Sequence, residues 1–311
     1  MHHLVRVALD HTDVERHRVR FVAIAIAMLM VSSGLRAQSN DTPSAPTTER
    51  ATTAPETSTS ESWVQRWMRT VDEARASQPH FVAPIVTTHV MLVEQYRYDI
   101  ARQRDAAGPV MANFGVSKGL ELIPTTRLEI GIAPPPYLAH ASEVPDGFGD
   151  VAFQVKYRAW SAPEGRGDYF VGVFLAGSLP TGSSPNGAGH AMLVPTLAGA
   201  KGLGPVDIQS TIATGLPVSG ADVLGRTLVF NMAVDYRITR NIWPMLEVNS
   251  TSWSGGSLDG KHEVFLTPGL VVGGLPLEER LHCGFGVGVQ IAVTEFRRYD
   301  HRWIVSARFP F

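Results

Sequence analysis

From about Pro84 to Phe311 apolar and polar residues alternate with a period of two, in short segments separated by clusters of Gly, Pro, Asn and Asp. That period belongs to extended strands with one face in an apolar medium. About twelve such segments follow one another. In CGFGVGVQI, Phe285, Val287, Val289 and Ile291 share one face while Gly284, Gly286, Gly288 and Gln290 share the other. In VAFQVKYRAW, Val151, Phe153, Val155 and Tyr157 oppose Gln154, Lys156 and Arg158. Leu228, Phe230, Met232 and Val234 likewise oppose Asn231 and Asp235, and Leu246 and Val248 oppose Glu247 and Asn249. The last segment, RWIVSARFPF, puts Trp303, Val305, Ala307, Phe309 and Phe311 against Arg302, Ser306 and Arg308. As a soluble edge strand it would template aggregation through its unpaired backbone and apolar face.

The pattern changes before Pro84. Trp63, Val64, Trp67, Met68, Val71 and Ala74 recur at helical spacing behind Ser62, which predicts an amphipathic helix over 62–78. It serves either as a plug or rim helix at the membrane surface or as a helix packed on a barrel end. Residues 38–61 are rich in Ser, Thr and Pro, and are expected to be a disordered tether. FVAIAIAMLMV follows RHRVR and precedes SSGLRA, so 1–37 reads as a signal peptide cleaved after Ala37, with Asp10, Asp13 and Glu15 atypical of its leading segment. The alternative for that run is a buried core helix.

Alternation alone also suits a β-sandwich, whose apolar face points inward. Three features choose a transmembrane antiparallel up-and-down β-barrel of about twelve strands over 84–311. If the last strand ends in the periplasm, the inner links include the short IPTT, KGLGP and ITRN. The outer links, such as PPPYLAHASEVPDGFGD and LPTGSSPNGAGH, are longer; WSAPEGRG and GGLPLEER depart from the trend. Aromatic residues then fall into two interfacial belts: Tyr157, Trp160, Tyr169, Tyr236, Trp243 and Phe311 at inner ends, and Tyr96, Tyr98, Trp253 and Trp303 at outer ends. The third feature is the export signal, which places such a barrel in the outer membrane of a Gram-negative cell.

Composition agrees. Among 311 residues 44% are hydrophobic, yet no run reaches the ~18 apolar residues of a spanning helix. A net charge of -2 gives no reason to expect nucleic acid. Cys283 stands alone, so no internal disulfide forms. The eleven histidines lack metal-ligand spacing, and GFGVGV lacks the following helix of a dinucleotide fingerprint. No metal or cofactor is expected. The glycines of that run let a neighbouring strand or a plug approach closely.

DGFGDVAFQVKYR (146–158) followed by FLAGSLPTGSS (174–184) resembles the outer-membrane proteins grouped under the MetA pathway of phenol degradation. The resemblance covers the barrel region and implies a barrel of about twelve strands that passes small hydrophobic or aromatic molecules, with no catalytic residues. The terminal RFPF, with Trp303, Val305, Phe309 and Phe311, looks like the signal such barrels present to the barrel-assembly machinery. Outer-membrane lipid and a small solute complete the expected partners.

A lumen of this strand number lies between filled small barrels and open porins, so a narrow or partly plugged passage is expected. The candidate lining residues are Arg127, Glu129, Gln154, Lys156, Arg158, Asn231, Asp235, Glu247, Asn249 and Arg308. With both signs present, they can line a path or fill it with ion pairs. Two rival functions stand beside passive transport. His140-Ala141-Ser142 suits an outer-membrane acyl hydrolase, although no orienting Asn is identifiable and the pair sits in a predicted loop. A non-transporting display barrel would have a blocked lumen.

Overall fold

The computed structural model describes residues 61–311. The signal peptide and all but the last residue of the tether lie outside the described residues. The amphipathic helix is α1, Trp63–Ala76. Ser62 caps it as expected: its hydroxyl accepts from the Gln65 N–H at 3.2 Å, and Gln65 Oε1 accepts from the Ser62 N–H at 2.9 Å. Val71 and Ala74 are buried, whereas Trp63 and Val64 are exposed.

The strands are β1 (Gln95–Asp105), β2 (Val110–Gly115), β3 (Leu120–Thr125), β4 (Leu128–Ala133) and β5 (Tyr137–His140). Next come β6 (Gly147–Phe148), β7 (Val151–Ala162), β8 (Tyr169–Leu179), β9 (Met192–Leu203) and β10 (Val206–Pro217). Last are β11 (Arg226–Tyr236), β12 (Ile242–Ser254), β13 (His262–Pro276), β14 (His282–Ala292) and β15 (Tyr299–Pro310). Each pairs antiparallel with its neighbours, and β15 returns to β1 with Gln95 opposite Pro310, Arg97 opposite Arg308 and Asp99 opposite Ser306. The sheet is therefore a closed barrel. Three wall positions are interrupted strands: β2 with β3, β4 with β5 and β6 with β7. The fifteen elements consequently make twelve staves. Closure removes the edge that RWIVSARFPF would otherwise expose.

The alternation read from the sequence is inside out relative to a soluble protein. Leu197 is 63% exposed, Ile132 59% and Leu228 55%, whereas Lys156, Gln209, Asp235 and Glu247 are fully buried. Burying charge while exposing aliphatic surface is favourable only where the outer medium is hydrocarbon, and there every backbone donor must also be paired within the wall. Glycine helps the outer face. A Cβ at Gly177 would lie 2.8 Å from Phe153 Cζ, so glycine lets that ring cover the neighbouring strand.

The end bearing Phe311 and α1 carries the links 126–127, 163–168, 204–205, 237–241 and 277–281. The opposite end carries 106–109, 141–146, 180–191, 218–225, 255–261 and 293–298. The aromatic belts need correction. Tyr157, Trp160, Tyr169 and Tyr236 are exposed at the Phe311 end as expected, and Trp303 faces outward near the other. Tyr96, however, pairs with Phe309, so it and Tyr98 belong to the Phe311 end. Trp253 is buried on the inward face of β12 beside Phe296, and Trp243 lines an internal cavity. The level of an aromatic ring depends on where its strand starts, which for β1 is Gln95, while strand parity decides its face. The wall also begins at Gln95 and not at residue 84. Residues 84–94 have no strand pairing because they lie inside the barrel.

Candidate functional site

Residues 77–94 fold back on themselves within the lumen. Gln78 donates to the Leu92 carbonyl at 2.6 Å and accepts from the Leu92 N–H at 3.1 Å, and His89 Nε2 lies 3.2 Å from the Phe81 carbonyl. Pro79 and Pro84 lack N–H groups, which removes two donors from this coil. Several of the remaining backbone groups are met by the wall. Glu247 accepts from the N–H groups of Ile85 at 2.7 Å, Val86 at 3.0 Å and Thr87 at 2.6 Å. Arg97 donates to the carbonyls of Pro84 at 3.0 Å and Ile85 at 2.7 Å, and Arg308 to those of Ala83 and Pro84. Gln209 donates to Val82 O at 2.7 Å, and Glu129 accepts from Val93 N–H at 2.6 Å. Charged wall groups thus replace the water a coil would otherwise need.

Apolar contacts seat the segment as well. Phe81, Val90, Met91 and Leu92 pack with Val71 and Ala74 of α1 against Ile123, Phe170 and Phe174. Ile85, at the tip, packs with Ala101, Met245, Val271 and Ile304. A Cβ at Gly286 would sit 3.2 Å from Ile85 Cδ1 and one at Gly288 3.4 Å from Ile85 Cγ2. The glycines of GFGVGV therefore make room for a plug.

The structure brings most of the candidate lining residues together. Lys156 Nζ lies 2.7 Å from Glu129 Oε1, and these two buried atoms have no other close partner, Glu121 being 4.0 Å away. Asp235 accepts from Gln209 at 3.1 Å, and Asn249 donates to Asn231 at 3.0 Å and to Thr87 at 3.4 Å. Gln154 lines a cavity on the side of the plug away from Phe311. Two candidates do something else. Arg127 is exposed in the turn between β3 and β4 and lines no path, because the link is the two residues 126–127 and not IPTT, so β4 starts only at Leu128. Arg158 sits at the base, where its guanidinium donates to Ala74 O at 2.9 Å and Ser77 Oγ at 2.9 Å, closing the negative end of α1.

Sequence reading missed the partners whose roles depend on the plug. Arg97 and Asp99, paired at 2.7 Å, are both buried, and only the parity of β1 could have revealed them. It also missed an aromatic and arginine cluster near the far end. Phe265 stacks on Tyr299 at 4.4 Å, Arg302 lies over Tyr299 at 4.1 Å, Arg298 lies over Trp253 at 5.0 Å, and Arg298 pairs with Glu263 at 2.5 Å. That cluster narrows the β12–β15 side. Cavities lie on both sides of the plug. One of about 330 Å³ lies at the Phe311 end, lined by Phe81, Met91, Trp243, Val271 and Cys283. The other, about 280 Å³, lies beyond the plug against β3–β9, lined by Thr88, His89, Gln154, Ser178, Met192 and Val194.

His89 belongs to the plug and touches both cavities. Burial, with Lys156 and Arg308 nearby, pushes its imidazole well below the ordinary value of 6.5, and its Nδ1 has no partner. The docked plug therefore holds neutral His89, while an undocked one takes up a proton below pH 6.5. Docking is at full strength above that value and weakens as the pH falls through it. Ion current through the reconstituted barrel is expected to rise on acidification, and His89→Gln to flatten that rise.

The hydrolase constellation is incomplete. An asparagine does reach His140: Asn186 Oδ1 lies 2.7 Å from His140 Nε2, a pairing across 46 residues that no local motif shows. Ser142 Oγ, however, accepts from Val144 N–H at 3.4 Å and makes no hydrogen bond to His140. Ser142→Ala is expected to leave fatty-acid release from phospholipid vesicles at background. Among the described residues no cluster of three or more His, Cys, Asp or Glu suits a metal ion.

No protein-family model and no curated protein sequence matches the chain. Solved structures do. The chain is similar to the COG4313 outer membrane channel from Pseudomonas putida F1, at 11% identity and a TM-score of 0.52 over 74% of this chain and 100% of that one. The NanC porin covers 70% of this chain and 98% of its own at 9% identity and a TM-score of 0.46, and the KdgM porin 70% and 99% at 11% and 0.43. The first of these likenesses shows the twelve-stranded fold.

Proposed function

We propose that the chain is an outer-membrane channel for passive passage of small hydrophobic or aromatic solutes, held shut by its own residues 77–94. The observation that carries this reading is the use of the lumen's charge. Glu247, Arg97, Arg308, Gln209 and Glu129 bind the backbone of a segment that is no part of the wall, and that segment lies between two cavities. The apolar exterior supports the membrane location, and the short motifs at 146–158 and 174–184 support an aromatic solute. Trp303 and Val305, exposed on the outer face of β15, with Phe309 and Phe311 beyond them, would form the signal read by the assembly machinery.

The test is single-channel current in a planar bilayer for the full chain and for a variant lacking residues 62–93. Large, sustained current in the variant against small or rare current in the full chain supports a plugged channel. The blocked lumen also suits a display barrel whose core is permanently filled. That reading predicts no openings at all from the full chain, at any voltage, whatever the variant conducts, although both remain folded by circular dichroism.

A further inference from the structure

Two arginines stand on the outside of the wall. Along β1 the outward positions are Tyr96, Tyr98, Ile100, Arg102 and Arg104, while Arg97, Asp99 and Ala101 face inward and are buried. Arg102 and Arg104 are exposed, and neither takes part in an ion pair among the described residues. The inward arginines of the same rim are partnered. Arg302 donates to Gln103 Oε1 at 2.6 Å and lies 4.1 Å over Tyr299, and Arg298 pairs with Glu263. The carboxylates at this end of β1 and β15 are also taken. Asp105 accepts from Gln103 at 2.7 Å and Asp300 from Arg297 at 2.5 Å.

Their height makes that exposure costly. In register, Arg102 lies between Trp303 of β15 and Ala112 of β2, and Arg104 between His301 and Val110. One strand further, Val289 stands opposite Trp303 and Ile291 opposite His301, so the surrounding outer face is apolar. Measured from Tyr96 at the other rim, the two arginines stand roughly 15 and 20 Å up the wall, at ~3.3 Å per residue and a tilt of about 40°, inside an apolar band roughly 25 Å tall. A guanidinium does not give up its proton, and on a lipid face its cost falls only as its head nears the interface. Snorkelling therefore carries both heads to the boundary between acyl chains and headgroups, beside the ring of His301. The short side chains of Ala112 and Val110 leave the pair uncovered toward β2. Two like charges without a counter-ion thus meet the bilayer where anionic headgroups begin.

We propose that Arg102, Arg104 and His301 bind the phosphate of an outer-leaflet glycolipid, whose acyl chains lie against Ile100 and Trp303. The planar fork of arginine takes a phosphate through two parallel hydrogen bonds. A second fork on the same face, about 7 Å along the strand, suits a headgroup that carries more than one phosphate. The site rests on the barrel crossing an outer membrane with its Phe311 end toward the periplasm, as the proposed function requires. It does not depend on what the lumen passes, because all three side chains stand on the opposite face of the wall from Gln103 and Arg302.

Native mass spectrometry of the full, delipidated protein tests it, with diphosphoryl lipid A as the probe and its dephosphorylated form as the comparison. One adduct of the phosphorylated lipid is expected, about twentyfold more abundant than that of the dephosphorylated lipid, since each arginine near an anionic headgroup is worth about fivefold. Arg102→Gln with Arg104→Gln should bring the phosphorylated adduct down to the dephosphorylated level. Arg102→Lys with Arg104→Lys keeps the charge, and should retain most of the adduct. Equal adducts of the two lipids on the unaltered protein, or undiminished binding by the glutamine variant, overturn the site. Inorganic phosphate in excess should leave the lipid adduct in place, and its displacement by phosphate alone overturns the assignment to a lipid. Should the glutamine variant not fold, the comparison of the two lipids on the unaltered protein decides by itself. Single-channel current of the plug-deleted protein reports the lumen separately, so a failed lipid site and a failed channel give different results.

Discussion

Glu247→Ala opens the channel without unfolding the barrel. The carboxylate receives three consecutive N–H groups of the plug tip, with Ile85 and Thr87 buried around it. Hydrogen bonds to an ionised acceptor contribute about 1.5–3 kcal/mol each, and donors left unpaired in a buried site add to the loss. A conservative total of about 3–5 kcal/mol shifts the docked-to-undocked ratio by roughly a hundred- to a few-thousand-fold. Open probability in single-channel recordings should rise by a comparable factor until it saturates. The ladder pairs of β12 with β11 and β13 do not involve the side chain, so the thermal unfolding midpoint of the wall should move little. Glu247→Gln keeps one acceptor oxygen and loses the charge, and its effect should fall between the two. Unchanged current in Glu247→Ala, with the protein folded, would contradict plug docking as the closing device.

How much of this was legible beforehand follows from where the information lies. Strand parity is a local property, so the faces of Lys156, Asp235, Glu247 and Arg308 could be read from alternation, and all four point inward. Closure into twelve staves was legible from the count of segments and the alternating lengths of their links. The plug was not. FVAPIVTTHVM has the apolar texture of a strand, and nothing local says that its backbone will be satisfied by side chains more than a hundred residues away, as in the bonds from Gln209 and Glu247. Pro84 within it and Pro79 just before it were the available signal, since proline is excluded from central strands. Arg158 was read from parity as lumen-lining, and its side chain instead meets the C-terminus of α1 arriving beneath it. Tyr96 was misplaced because the wall was taken to start near residue 84 when it starts at Gln95, and Trp253 because an aromatic residue near a strand end was taken to face lipid. One belongs to the other end, and the other packs inward on Phe296 and Arg298.

Lys156→Met is the substitution expected to damage the wall itself. Lys156 is fully buried, Glu129 is 1% exposed, and their 2.7 Å contact is the only close one for either facing atom. Methionine matches the length of the lysine stem and keeps its packing beside Phe174, whose ring centroid lies 5.8 Å from Nζ. What changes is the charge. Glu129 loses its counter-ion while still holding the Val93 N–H, and Glu121 loses its more distant share of the same ammonium. Removing one partner of a buried pair costs about 3–5 kcal/mol, because the remaining charge has neither water nor a partner. The measurement is denaturant unfolding of the reconstituted barrel, followed by the gel shift between folded and unfolded forms. The double variant Lys156→Met with Glu129→Gln removes both charges while keeping an acceptor for Val93, and it should recover most of the loss, with a coupling energy above about 1 kcal/mol. If the single variants are mild and their effects simply add, the pair is not the electrostatic lock of the β4–β7 wall, and the packing of the plug against Ile123, Phe170 and Phe174 carries that part of the barrel instead.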